Sequence, residues 1–107
     1  MAEACCVVFV TVARREEAEK IADALVGEHL AACCNLAPGL SSIYRWRGDV
    51  HRDPEVLLIA KTRRDLFEKL RERVIALHSY EVPEIVALPI IAGHEPYLDW
   101  IRRETAP

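Results

Sequence analysis

The sequence predicts an α+β fold: one antiparallel sheet in β-α-β-β-α-β order, with an added C-terminal helix. Three observations carry that reading. A continuous apolar run of strand length stands near the start, Cys5–Val12. The apolar spacing turns helical after Glu16 and again after Thr62. Between those stretches, strand-like runs meet at a Gly-first hairpin signal, Gly48-Asp49. The 107 residues suit a single domain, 1–107, and show no repeat or linker.

The first run, Cys-Cys-Val-Val-Phe-Val-Thr-Val, is β-branched and apolar throughout, as a strand buried on both faces would be. From Glu16 the residues Ala18, Ile21, Ala22, Leu25, Val26 and Leu30 form one helical face. Glu16 and Glu17 occupy its first turn, where the helix dipole favours negative charge. Residues 32–36 read as a short second strand, and Pro38-Gly39 predicts a bulge before pairing resumes. Ser42-Ile43-Tyr44-Arg45-Trp46-Arg47 alternates, with Tyr44 and Trp46 sharing a face. Gly48-Asp49 predicts a type II′ turn. The return strand is expected to break at Asp53-Pro54 and to continue over residues 55–61.

Thr62 with Asp65 three residues on has the form of a capping box. It opens a helix with Leu66, Phe67, Leu70, Val74 and Leu77 on its apolar face. Pro83 limits that helix, because the residue before a proline avoids helical angles. Residues 84–91 predict a fourth strand, with Pro89 demanding an open side or a bulge. Pro96 suits the first turn of a last helix carrying Tyr97, Leu98, Trp100 and Ile101. This order is the ferredoxin-like split βαβ arrangement. Two helices cover one sheet face, and the apolar content of the strands calls for a partner subunit on the other. The Tyr44–Trp46 hairpin is a natural arm for reaching it.

Composition narrows the function. Lys and Arg total 14 against 17 Asp and Glu, a net charge of −3, which argues against nucleic acid as a partner. The pairs Arg14-Arg15, Arg63-Arg64 and Arg102-Arg103 read as solvated helix ends. No apolar run approaches the roughly 20 residues of a membrane span. Glu3 and the lack of a positive segment before the apolar run argue against a signal peptide, so the expectation is a cytoplasmic protein with reduced cysteines.

Cys5-Cys6 and Cys33-Cys34 are adjacent pairs rather than C-x-x-C motifs. Neighbours on a strand point to opposite faces, so neither pair chelates one ion. They read as small buried hydrophobes, with a single soft ligand for Cu(I) as the sharper alternative. His29 reads as a partly buried helix-end residue, and His51 and His94 as solvated turn residues. His78, at the end of the second helix, suits either dipole capping or metal ligation. Lys61-Thr62 could hold an anion, although capping alone explains Thr62. No catalytic triad, dinucleotide fingerprint or phosphate-loop lysine motif is present. The residues themselves predict a fold and an oligomer, not a reaction.

Several segments in order resemble the CutA family of divalent-cation tolerance proteins. They are Glu17-Ala18 with Ile21-Ala22, Leu30-Ala31-Ala32-Cys33, Ser42-Ile43-Tyr44-Arg45-Trp46-Arg47-Gly48, and Glu55-Val56-Leu57-Leu58-Ile59-Ala60-Lys61-Thr62. His78-Ser79-Tyr80-Glu81-Val82-Pro83-Glu84-Ile85 and Tyr97-Leu98-Asp99-Trp100-Ile101 complete the set. The resemblance implies a cytoplasmic homotrimer that binds divalent metal ions, copper among them, with no catalysis and no organic cofactor. It implies His78 and Cys33 as metal ligands. It also implies an inter-subunit cleft near Trp46, Glu55, Lys61, Tyr80, Glu84, Tyr97 and Trp100. The alternative it leaves open is a PII-like trimer sensing a small ligand, with an anion near Lys61. Ser79 stands where the family commonly has proline, and Phe9-Val10-Thr11-Val12 lacks the thiol that some members carry.

Overall fold

The computed structural model describes residues 3–106. The chain runs β1 (Cys5–Val12), α1 (Arg15–Gly27), β2 (Cys33–Trp46), β3 (Asp49–Arg63), a 3-10 turn (Arg64–Leu66), α2 (Phe67–Leu77), β4 (Ile85–Pro89) and α3 (Glu95–Glu104). The four strands form one antiparallel sheet in the order β2-β3-β1-β4. The α+β class and the element order are those the sequence predicts. No helix among the described residues is long and apolar enough to cross a membrane.

The core lies between the sheet and the first two helices. Val8, Val10 and Val12 of β1 and Leu58 and Ala60 of β3 point inward. They meet Ala18, Ile21 and Leu25 of α1 and Leu70 and Val74 of α2. Truncating one of the large members, such as Leu70→Ala, costs about 2–5 kcal/mol through lost burial and the cavity left behind. A smaller cluster of Cys5, Leu98 and Ile101 ties α3 to the start of β1. Cys5 and Cys6 thus serve different clusters because neighbours on a strand face opposite ways. All four cysteines are free thiols; Cys33 and Cys34 are half-buried.

Several local expectations are corrected. In the isolated chain β1 is fully buried on one face only: Val7, Phe9 and Thr11 are half-buried and face away from the helices. The hairpin loop is Arg47-Gly48, because Trp46 pairs with Asp49. Both loop residues have positive φ, 50° and 86°, which suits a type I′ rather than a type II′ turn. Thr62 does not cap a helix. It lies in β3, is fully buried, and donates its hydroxyl to the Leu30 carbonyl at 2.7 Å.

Asp53-Pro54 does not break β3, which pairs straight through them with Ser42 and Ser41. Pairing with β1 ends at Val56, so the missing Pro54 N–H leaves no neighbour unsatisfied on that side. The bulge between Ala37 and Leu40 is present. β4 is shorter than expected and ends at Pro89 on an edge strand.

Arg63 and Arg102 are not solvated ends: their side chains are 18% and 21% exposed. Arg102 donates to the Glu3 carbonyl at 2.7 Å and pairs with Asp99 at 2.8 Å. His29 lies just past α1, exposed, at φ 60°, with Nδ1 3.0 Å from the Glu104 carbonyl. His51 lies in β3 and stacks on Tyr44 with centroids 5.4 Å apart.

Candidate functional site

The hairpin built by β2 and β3 extends well past the end of β1. Beside it, the loop between α2 and β4 crosses the end of β1. Between hairpin and loop lies a cleft of about 490 Å³, lined by Thr11, Ser42, Ile43, Tyr44, Trp46, Glu55, Tyr80, Glu81, Val82 and Glu84. Strand alternation and the bulge after Ala37 set which β2 side chains face it.

Glu55 is the deepest carboxylate, 8% exposed. The Tyr80 hydroxyl donates to its Oε2 at 2.6 Å, and no other hydrogen bond to the carboxylate forms among the described residues. Burial and then the bond to Glu55 hold the Tyr80 phenol well above its usual range. The Tyr44 hydroxyl donates to Asp53 at 2.5 Å, and that bond raises its pKa. Arg47 closes the rim: it pairs with Glu81 at 2.7 Å, and its guanidinium lies 5.3 Å from the Trp46 ring centre. Glu55 and Glu84 form no ion pair among the described residues. The cleft is therefore acidic, with aromatic walls.

His78 stands behind the cleft wall, its side chain wholly buried. The Tyr80 backbone N–H donates to Nδ1 at 3.1 Å, so Nδ1 carries the lone pair. Nε2 then carries the hydrogen and donates to the Thr11 carbonyl at 2.8 Å. Glu17 Oε2 lies 3.5 Å from Nδ1 and is held by the Ser79 N–H and hydroxyl at 3.1 and 3.0 Å. In this tautomer the Glu17–His78 approach is not an ion pair, and His78 has no free lone pair for a metal. It ties the loop to β1.

Cys33, the other expected ligand, lies at the opposite end of the sheet. It pairs across the strands with Lys61, and Lys61 with Val7; the cleft lies beside Thr11. Four residues of β1 separate the two, about 13 Å. Lys61 bonds to Asn35, and the Cys33 thiol lies 3.7 Å from the same Asn35 oxygen. Tyr97 packs on Trp100 with centroids 5.5 Å apart, and burial first, then nearby Cys33, raises the Tyr97 pKa.

Within a single chain, the residues expected at the cleft between subunits stand at two ends of the sheet. Trp46, Glu55, Tyr80 and Glu84 line the cleft beside the hairpin; Lys61, Tyr97 and Trp100 gather with Cys33 at the other end. Among the described residues no three His, Cys, Asp or Glu side chains converge as a metal site. Tyr44, Glu81 and Thr11 were not singled out as site residues, although Tyr44 and Glu81 stand in the matched segments.

A model of the family described as CutA1 divalent ion tolerance protein matches residues 6–104. The chain belongs to that family. It is 60% identical over 99 residues to the divalent-cation tolerance protein CutA of Thermus thermophilus, covering 92% of this chain and 96% of that one. It is 52% identical to the chloroplastic protein CutA of Arabidopsis thaliana, and spans about half (54%) of that protein's length. The solved structure of the Thermus thermophilus protein superposes with a TM-score of 0.93 at 58% identity, covering 95% of this chain and 99% of that one. The CutA1 family match runs through both β2 and the α2–β4 loop, the elements that form the cleft.

Proposed function

We propose that this chain is a non-catalytic cation-binding protein of divalent-cation tolerance, working as a homotrimer, with the acidic cleft as its cation site. The observation that carries this reading is the cleft's charge. Glu55, Glu81 and Glu84 face one cavity; Arg47 at its rim pairs with Glu81, which leaves Glu55 and Glu84 without an ion-pair partner among the described residues. A buried carboxylate without a cation is costly, and a bound cation relieves that cost.

Oxygen donors alone suit hard or borderline divalent ions. With fewer than three side chains converging in one chain, a tightly held ion needs waters or donors from a neighbouring subunit. Copper is then one of several ions the site accepts.

Support for the trimer comes from the sheet face turned away from α1 and α2. Val7 and Phe9 on β1 pair with Leu88 and Val86 on β4, which are 48% and 47% exposed. Such an apolar face on a sheet is a subunit interface in the making. The free thiols suit a reducing compartment such as cytoplasm.

Calorimetric titration with Cu(II), Zn(II) and Mn(II), alongside Glu55→Gln and His78→Ala variants, tests the assignment. The reading expects Glu55→Gln to weaken binding about tenfold or more, and His78→Ala to weaken it less. Binding that survives Glu55→Gln and vanishes in a folded His78→Ala protein would overturn it.

A further inference from the structure

The cleft is larger, and more aromatic, than a bare metal ion requires. Its volume of about 490 Å³ falls in the range of small-molecule sites. Ile43, Tyr44, Trp46, Tyr80 and Val82 supply apolar and aromatic wall. Glu55 supplies a carboxylate more than nine-tenths buried, whose Oε1 has no donor among the described residues.

These features favour one ligand chemistry. A metal ion gains most from several inner-sphere donors, and the described residues do not gather three. An ammonium or guanidinium group needs less: one or two acceptors at hydrogen-bond distance and an aromatic face for its charge. The protein shows that recognition at the rim, where Arg47 lies over Trp46 and pairs with Glu81. Deeper in, the Tyr80 hydroxyl holds Glu55 Oε2, the Tyr80 ring packs against His78 with centroids 4.7 Å apart, and no cationic side chain among the described residues pairs with Glu55.

We propose that the cleft binds a small organic cation, an ammonium or guanidinium group on an apolar body, with the charge on Glu55 and the body against Tyr44, Trp46 and Tyr80. This deepens the cation-site reading given above and rests on it. The organic cation and a divalent metal ion then compete for Glu55. The acidic lining of this cleft selects a cation, whereas Lys61, the residue expected near an anion between subunits, lies at the other end of the sheet in the same chain.

The test titrates the assembled protein with benzylammonium, with neutral benzyl alcohol of the same shape, and with Mn(II). Benzylammonium is expected to bind about tenfold or more tightly than benzyl alcohol, and to be displaced by Mn(II). Glu55→Gln should lower affinity for both cations. Trp46→Ala, on an exposed hairpin, should lower the ratio of benzylammonium to Mn(II) affinity about tenfold; Tyr80→Phe, with circular dichroism as the folding check, should keep that ratio.

Equal binding of benzylammonium and benzyl alcohol overturns the proposal. Glu55-dependent Mn(II) binding without benzylammonium binding overturns it and leaves the metal reading standing. Benzylammonium binding without Mn(II) binding supports it and removes the metal reading. Binding of neither cation removes both.

Discussion

The Tyr80 hydroxyl reaches Glu55 Oε2 at 2.6 Å and so joins the α2–β4 loop to the middle of β3, 25 residues away in sequence. One bond therefore shapes the cleft and gives its deepest carboxylate a donor at Oε2. Removing the donor leaves that carboxylate with no hydrogen bond among the described residues. Tyr80→Phe is expected to lower stability by about 1–3 kcal/mol per chain, read by denaturant unfolding at fixed protein concentration. A change under about 0.3 kcal/mol would show that the bond does not hold the loop.

The same phenol sets a pH dependence. Burial first, then the Glu55 carboxylate, raises the Tyr80 pKa above its ordinary value near 10. A raised folded pKa means that this contribution is complete below about pH 10 and fades as pH climbs through the folded value. The stability difference between wild type and Tyr80→Phe should stay constant from about pH 7 to 9 and shrink above about 10. Absorbance near 295 nm should show that the tyrosine ionising last in wild type is the one missing from Tyr80→Phe. Loss of the difference below pH 9 would contradict the assignment.

His78 makes a separate prediction. Its ring joins the Thr11 carbonyl to the Tyr80 N–H, and both groups lose a partner in His78→Ala. The expected cost is about 2–4 kcal/mol, from two lost hydrogen bonds and a small cavity. A variant of unchanged stability that loses metal binding would restore His78 as a ligand.

The exposed side of β4 predicts assembly. Leu88→Glu places a charge in the apolar row with Val7. Light scattering should show the variant's mass falling towards that of a single chain, while wild type keeps three. A trimer persisting at micromolar concentration would place the interface elsewhere.

Cys34 offers a chemical check. Burial pushes its thiol pKa up to about 12, so almost none is thiolate at pH 8. Iodoacetamide should leave it unmodified in the native protein and label it after unfolding. Rapid native labelling would contradict the packing around β2.

The elements themselves were legible because periodicity reports burial directly: the α1 and α2 faces read from the sequence include Ile21, Leu25, Leu70 and Val74, all in the core. Local chemistry misled where long-range pairing decided the outcome. Thr62 and Asp65 have the spacing of a capping box, yet continued pairing with β1 keeps Thr62 in β3. Arg47 carries no turn signal, yet pairing of Trp46 with Asp49 forces it to positive φ. The cleft was only half visible. Glu55 and Tyr80 meet through tertiary contact, and no spacing announces that. His78 looks the same in sequence whether it ligates a metal or ties a loop; only its two bonded nitrogens decide.

The most direct test of the cleft as the cation site is Mn(II) line broadening in the amide spectrum of the assembled protein. The account predicts that signals of Tyr80, Glu81, Val82 and Glu84 and the Trp46 indole fade first, while those of Cys33, Asn35 and Lys61 persist. Early loss at Cys33 and Lys61, with the cleft signals intact, would contradict it.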